Sequence, residues 1–507
     1  MSVASMAEQE MKWFQEAKDS GDLDKQRKDN AAYQLADDVV LAIPRDSFLR
    51  KDSHQVVFYG RMFLDMWARK MTPSIGILLA LLDGQRSLGD ISAMLQAEVG
   101  GSKELNDYKV RSALARVDIM SSEHRKVINR KLEPNAQIRV YNPRDFFIPA
   151  DQVRLSDYLE KPIGMLWMPT SVCQTDCAYC YATRRPIARE DMLSDQRVRE
   201  LFDEAAEIGI RKINVDGGDV FCRPGVIDLL AYAESLELQC DISTKAYVSK
   251  DMAKALYDTG IRLIQVGFDA PYPDLFDKVV GSKGAFHRTI ETIRNCTDAG
   301  VACRTNSIII QETAPHIEEL VELLYTLPLR DMKIATAFRS LHRHRDGLLL
   351  SEAMKEQLRK KIGELQQKHP DGKIKFECRS DYMAMNPQDK QNAFENFPRC
   401  GIGQEVIIIA PDGKVVMCEQ SPHGDEYVVG NLKDQSIMDV WSGEEMTRFK
   451  FIDRSQFEGT VCYDCEDFKT CFHGKGGCFI MTVKAYGTRY GPHPACPKAP
   501  LYASPID

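Results

Sequence analysis

Gly164-Met165-Leu166-Trp167-Met168 runs through Pro169-Thr170-Ser171-Val172 into Cys173-Gln174-Thr175-Asp176-Cys177-Ala178-Tyr179-Cys180. The apolar stretch reads as a strand. The run behind it has the spacing C-x3-C-x2-C. Three thiolates packed so tightly can hold three irons of a cubane cluster and leave the last iron open, whereas iron–sulfur clusters normally take four cysteines. An open iron calls for a ligand from outside the protein, and an outside ligand implies chemistry. The competing interpretation is a zinc knuckle. Zinc favours paired C-x2-C motifs or such a pair with histidines. No second pair lies near, and no histidine occurs between Leu155 and Phe286.

Outward from this loop, residues 160–350 alternate strand and helix. Expected strands are Gly164–Met168, Ile213–Val215, Asp241–Ser243, Leu263–Gly267, Cys303–Ile308 and Met332–Ala335, with helices such as Asp195–Ile208 and Lys250–Asp258 between them. Repeated βα units with apolar strands imply a parallel sheet with helices outside. In such sheets and barrels ligands bind at the strand C-termini, where the cysteine loop falls.

The chain has 507 residues, which suits about two to four domains. Its composition, 44% hydrophobic and 28% charged, is that of a soluble globular protein. No apolar run approaches a membrane span. The charged, polar stretch 1–30 reads as a solvated helical lead-in and not as a secretory signal. A net charge of −8 argues against nucleic acid as the main partner. Of 15 cysteines, three fall at 173–180 and seven at 400–496, and clustered cysteines in a cytoplasmic chain bind metal or do redox work. The scattered Cys222, Cys240, Cys296, Cys303 and Cys378 read as small buried hydrophobes, Cys222 as a loop-core thiol.

The cysteine spacing, with Tyr179 just before the last cysteine, resembles the signature of radical S-adenosylmethionine (radical SAM) enzymes. The resemblance implies a partial (β/α)6 TIM-like barrel. It also implies that SAM chelates the open iron on Cys173, Cys177 and Cys180 and is cleaved to a 5′-deoxyadenosyl radical. Asp216-Gly217-Gly218-Asp219, at a strand end about 40 residues on, matches the family's Gly-Gly-Glu motif, whose backbone binds the SAM amino group; Asp219 replaces Glu. Glycines there let backbone approach a ligand closely. Tyr179 matches an aromatic near adenine and Ser243 a ribose-side position. Gly267-Phe268-Asp269-Ala270 matches a Ser-x-Asp-Gly pattern, with Gly267 lacking the hydroxyl. Arg288 matches an arginine that pairs the SAM carboxylate, a task its planar fork suits; the alternative for Arg288 is a helix-surface ion pair.

Residues 396–507 resemble the SPASM extension, a seven-cysteine domain of radical SAM enzymes that modify peptides and proteins. Cys400 and Cys418 flank an expected hairpin turning at Pro411-Asp412-Gly413. Cys462, Cys465, Cys471 and Cys478 follow with spacing C-x2-C-x5-C-x6-C, and Cys496 closes the set. The last interval is longer than the family's usual x3. The resemblance implies two auxiliary clusters, making three [4Fe-4S] clusters in all. Cys462, Cys465, Cys471 and Cys496 would hold the outer one, and Cys400, Cys418 and Cys478 the inner one. Its fourth ligand is left open between Cys378, another side chain and a free iron. A zinc ribbon is the competing account of this tail.

Residues 31–125 read as a small α/β module: strand material at Tyr33–Pro44 and His54–Tyr59, a helix opened by Thr72-Pro73 and ended by Asp83-Gly84, a second capped by Ser87, and a third over Tyr108–Met120. The pattern resembles the winged-helix peptide chaperone of pyrroloquinoline quinone biosynthesis. That module is the recognition element of ribosomally made, post-translationally modified peptides, and it captures a leader peptide as an added strand. Residues 126–159 read as a linker and 351–395 as a bridging region. Together the resemblances imply a cytoplasmic peptide maturase with a precursor peptide as partner, an electron donor such as flavodoxin or ferredoxin, and a thioether or carbon–carbon crosslink as product. Alternatives are epimerisation, oxidation of a residue on a folded client as sulfatase maturases do, or a non-catalytic iron–sulfur or zinc winged-helix regulator. No catalytic acid or base is evident.

Overall fold

The computed structural model describes residues 31–45, 47–60, 67–116, 128–155, 158–182, 187–341, 343, 346–379, 387–395, 400–475 and 478–500. The expected lead-in 1–30 lies outside them. The chain divides between Glu160 and Lys161 into two compact units.

In the first unit, β1 (Val40–Pro44) pairs antiparallel with β5 (Asp83–Ser87), β6 (Ile128–Asn129) and β7 (Ile138–Arg139). Strands β2 (Phe48–Lys51), β3 (Val56–Gly60) and β4 (Trp67–Met71) form an antiparallel meander. Helix Pro73–Ala80 starts at a proline, whose missing N–H costs nothing in the first turn. Helix Leu88–Val99 is fixed by a capping box, Ser87 Oγ accepting from Asp90 N at 3.1 Å and Asp90 Oδ2 from Ser87 N at 2.9 Å. The third helix covers Lys103–Arg116, about a turn upstream of the expected start. Asp83-Gly84, expected as a stop, begins an edge strand on β1 instead. Leu41, Ile43, Phe58, Leu79, Ile91 and Val110 share one core.

The second unit is built on one large sheet. Strands β8 (Gly164–Trp167), β9 (Lys212–Val215), β10 (Gln239–Thr244), β11 (Leu263–Gly267), β12 (Ala302–Ile309), β13 (Leu329–Thr336) and β14 (Ile374–Glu377) lie side by side in chain order, all parallel. Helices between them cover the sheet. Asp195–Ile208 shows why: Ser194 Oγ caps Arg197 N, Gly209 ends the helix at φ 91°, and Val198, Leu201, Phe202 and Ala205 form one buried stripe. Phe202 meets the Trp167 ring edge-on at 5.3 Å. The path is open, ending at β14 on one side. On the other, β15 (Val406–Ile409) pairs parallel with β8, Ile409 opposite Trp167, and β16 (Lys414–Val416) and β17 (Val428–Asn431) extend the sheet antiparallel.

The segment 351–395, expected as a bridge, thus supplies helix Glu352–Lys368 and edge strand β14, and the hairpin at 411–413 belongs to the same sheet as the barrel strands. No helix among the described residues is long and apolar enough to cross a membrane.

Candidate active site

At the strand C-termini of the large sheet lies a cavity of about 640 Å³. Cys173, Cys177 and Cys180 line it, with Tyr179, Gly217, Gly218, Asp219 and Ser243. The cysteine loop is held from below: Asp176 N donates to Val280 O at 2.8 Å and Ala178 N to Val279 O at 2.9 Å, at the end of helix Pro273–Val280. Gly281 permits this approach, with φ +63° and no room for a side chain, since a Cβ there would stand 2.8 Å from Asp176 O. Arg343 pairs with Asp176 at 2.5 Å and donates to Cys177 O at 3.3 Å. Burial pushes the Cys177 thiol up, which suits a ligand whose charge is to be neutralised by metal.

Gly218 has an equally local reason. Its N–H donates to Thr170 O and the Asp219 N–H to Val172 O, and a Cβ on Gly218 would lie 2.6 Å from both of those carbonyls. The loop after β9 is therefore laced to the chain entering the cysteine loop. The Asp219 carboxylate accepts from Thr244 Oγ1 (2.8 and 3.0 Å), Lys245 N (2.8 Å), Ala246 N (2.9 Å) and Phe221 N (3.2 Å). It clamps the loops after β9 and β10 together. Ser243 Oγ accepts from Gln265 Nε2 at 3.0 Å, and both side chains face the cavity.

Asp269 is fully buried behind the wall. It accepts from Tyr179 Oη at 2.5 Å and from Ile308 N at 2.8 Å, and so fixes the tyrosine. Arg288 is not part of the wall. Its guanidinium donates to Lys283 O and Ser282 Oγ in the turn ahead of its own helix. A cation beside the cysteine loop is Lys245, 3.7 Å from Asp269 and 5.5 Å over the Tyr179 ring. Its pKa is raised: burial works against the charge but is outweighed by Asp269, Cys177 and Cys180. The missing hydroxyl at Gly267 now has a reason, because a Cβ there would fall 2.1 Å from Lys245 Nζ. The lysine fills the place a side chain at 267 would occupy.

The same wall holds an acidic group that spacing did not reveal: Asp216, Glu419 and Tyr181, with Glu377, Cys378 and Arg379 also lining the cavity. Tyr181 Oη donates to Asp216 Oδ2 at 3.3 Å and also bonds Glu419. Burial and then the nearby Asp216 charge push Glu419 up to about 8, and burial raises Asp216 too. Like charges this close, both within bonding reach of one tyrosine hydroxyl, disfavour ionising together.

Cys462, Cys465, Cys471 and Cys496 surround a separate, apolar pocket of about 40 Å³ with Phe468, Phe472 and His493. Cys418 lies near Cys478 and Cys400, with burial first and then Glu419 and those thiols raising it. Gln420 N donates to Cys418 Sγ at 3.4 Å. Cys478 is the N-cap of helix Phe479–Tyr486, where the Met481 and Ile480 amides oppose the burial that raises its thiol. Lys484, on that helix, is pulled down to about 8 by burial, against the Cys478 and Cys418 charges. Among the described residues no three Cys, His, Asp or Glu side chains converge on one point as a single metal ion needs. The cysteines surround spaces instead, a donor set that fits a wider cluster. The scattered Cys240, Cys296 and Cys303 are buried, and Cys378 faces the large cavity.

A sequence profile of the radical SAM superfamily matches residues 167–324, and one of an iron-sulfur cluster-binding domain, SPASM, matches residues 400–466. The chain carries a radical SAM domain and a SPASM domain. The radical SAM match stops short of β14, and Cys471, Cys478 and Cys496 lie beyond the SPASM match. Among curated proteins, this radical SAM chain is similar to the PqqA peptide cyclase of Rhizobium meliloti (strain 1021), 24% identical over 359 residues, spanning 70% of this chain and 92% of the relative. The PqqA peptide cyclase of Ruegeria pomeroyi is 25% identical over 345 residues, spanning 67% and 88%. Among solved structures, Streptococcus suis SuiB bound to S-adenosylmethionine superposes with TM-score 0.61 at 14% identity over 90% of this chain and 99% of that one. SuiB bound to precursor peptide SuiA gives 0.60 at 15%, over 90% and 98%. At such identity the likeness speaks for the fold alone.

Proposed function

We propose that this chain is a radical SAM oxidoreductase that matures a ribosomally made precursor peptide by forming an intramolecular crosslink, thioether or carbon–carbon. The observation that carries this is the large cavity walled jointly by the three-cysteine loop, the Gly217-Gly218 turn, and Glu419, Gln420 and Met481 from the cysteine-rich C-terminal segment. The relatives' names agree with it, two being PqqA peptide cyclases, and SuiB having been solved with its precursor peptide.

A reduced cluster on Cys173, Cys177 and Cys180, with SAM on its open iron, would supply hydrogen-atom abstraction, the hard step that a cofactor carries. The protein supplies position and exclusion of water. Cys173, Cys177 and Cys180 hold the cluster. Lys245 faces the SAM carboxylate, in the place assigned by pattern to Arg288. Ser243 and Gln265 offer polar contacts to the ribose, and the Asp219 clamp keeps both loops in register. Asp216, Tyr181 and Glu419 face the peptide. Cys462, Cys465, Cys471 and Cys496 hold an outer auxiliary cluster, and Cys400, Cys418 and Cys478 an inner one, for three [4Fe-4S] clusters. Flavodoxin or ferredoxin is the electron donor, and a reducing cytoplasm suits so many free thiols.

The first unit captures the leader. The β2–β3–β4 sheet has strand edges onto which an extended peptide can be added by backbone bonds. The test is mass spectrometry of the peptide encoded beside this chain, co-expressed with it. Loss of two hydrogens is the expected result, with 5′-deoxyadenosine released on anaerobic reduction. No SAM cleavage by the reconstituted, reduced protein removes the reading. Peptide affinity unchanged on deleting residues 31–125 removes leader capture alone.

A further inference from the structure

Lys484 is 2% exposed. Its ammonium donates to Arg339 O at 2.6 Å and to Gln420 Oε1 at 2.7 Å, both neutral acceptors. A buried cation needs an opposite charge close by, or it titrates away. The negative groups acting on Lys484 are Cys478 and Cys418, while the neighbouring Arg339 and Arg379 repel it. The same short segment ties the lysine to one of these cysteines: Gln420 accepts from Lys484 through its side chain and donates through its backbone to Cys418 Sγ at 3.4 Å. Cys478 and Lys484 share helix Phe479–Tyr486, the cysteine at its N-cap. Cationic side chain, helix start and amide donors thus converge on two thiols that become anionic on binding metal. The outer cysteines are treated differently. Lys498 reaches Cys465 Sγ at 3.4 Å, but its side chain is 55% exposed and paired with Asp467.

We propose that Lys484 is the built-in counter-charge of a cluster on Cys400, Cys418 and Cys478, and that it raises that cluster's reduction potential. The inference rests on the assignment of an inner auxiliary cluster made above. A fixed positive charge in a medium of low dielectric favours the form of the cluster carrying one more electron. Its balance is a single electron taken up by the cluster, with no bond made or broken. The inner cluster is thereby biased toward accepting electrons. Lys498, wet and neutralised by a carboxylate, has far less leverage.

The experiment is a redox titration of the reconstituted full-length protein, followed by electron paramagnetic resonance. Lys484→Met, Lys484→Gln and Lys484→Arg are compared with the parent. The two neutral variants should move the one-electron equilibrium of the inner cluster at least about tenfold toward the oxidised form, about 59 mV lower. Lys484→Arg should stay within about threefold of the parent, and the core cluster in the same samples should not move. Lys484→Gln, which keeps an amide donor, serves if the methionine variant does not fold. A potential unchanged in the neutral variants, or an equal shift with arginine, overturns the proposal. Iron content unchanged by Cys418→Ala would instead overturn the inner cluster itself, and the role of Lys484 with it.

Discussion

The two cysteine pockets of the second unit are built on opposite plans. The core pocket takes three of its thiols from one loop of eight residues and opens into about 640 Å³ with charged and hydroxyl groups in its wall. The C-terminal pocket collects Cys462, Cys465, Cys471 and Cys496 from a longer stretch of chain around about 40 Å³ of mainly apolar wall. One plan leaves room for small molecules and a peptide; the other admits nothing but what its thiols hold. Phe457, Phe468 and Phe472 close the second pocket with ring contacts of 4.6 to 5.1 Å. The difference separates a site where bonds change from one suited to passing electrons.

The strongest way to break this contrast is to remove one thiol from each pocket. Cys177→Ala should abolish 5′-deoxyadenosine formation, whereas Cys465→Ala should lower iron content yet leave reductive SAM cleavage measurable by chromatography. Equal loss in both would erase the distinction. Next, Phe468→Ala should cost about 3–5 kcal/mol of stability, the usual range for a buried aromatic, read as a lower denaturation midpoint with SAM affinity unchanged. Within the core pocket, Lys245→Met should weaken SAM binding by about 10- to 100-fold, as loss of a charge-assisted bond of ~1.5–3 kcal/mol would, in equilibrium binding to the reconstituted protein. Gly267→Ser should cost roughly tenfold in the same assay by displacing Lys245, and the double variant with Lys245→Met should fall short of additive, as neighbours that share one contact do. Arg288→Ala should change SAM affinity by less than about twofold, since its guanidinium is bonded to Lys283 O and Ser282 Oγ outside the cavity wall. A large effect there would restore the arginine and unseat the lysine.

The barrel strands were legible because their residues are buried on both faces, and runs such as Leu263–Gly267 have few other places to go. Helix Asp195–Ile208 was legible to the residue, its serine cap and terminal glycine both being written in the chain. Strand β5 was not: Asp83-Gly84-Gln85-Arg86-Ser87 carries no apolar alternation, and pairing with β1 alone makes it a strand. Strand β14 was missed for a related reason, since Ile374–Glu377 is a short edge with charged residues.

In the site, motif spacing pointed to residues that line the cavity beside the cysteine loop, and it could not show where a side chain's reach or rotation would carry it. Arg288 follows the pattern, yet its helix start turns the guanidinium onto Ser282 and Lys283. Lys245 lies two residues beyond Ser243, and only the empty space at Gly267 shows where its side chain goes. Asp216, Tyr181 and Glu419 come from three separated segments, and no local spacing could have joined them.

The pairing of β15 with β8 has a mechanical consequence. Ile409 lies beside Trp167, and β16, which leads to Cys418 and Glu419, pairs with β15, so this segment and the loop bearing Cys173 are tied to one hydrogen-bonded sheet, with β15 between β8 and β16. Their separation is set by strand spacing, a few ångströms per step, and not by the length of the connecting chain. The length of chain joining β14 to β15 can therefore change without altering that separation.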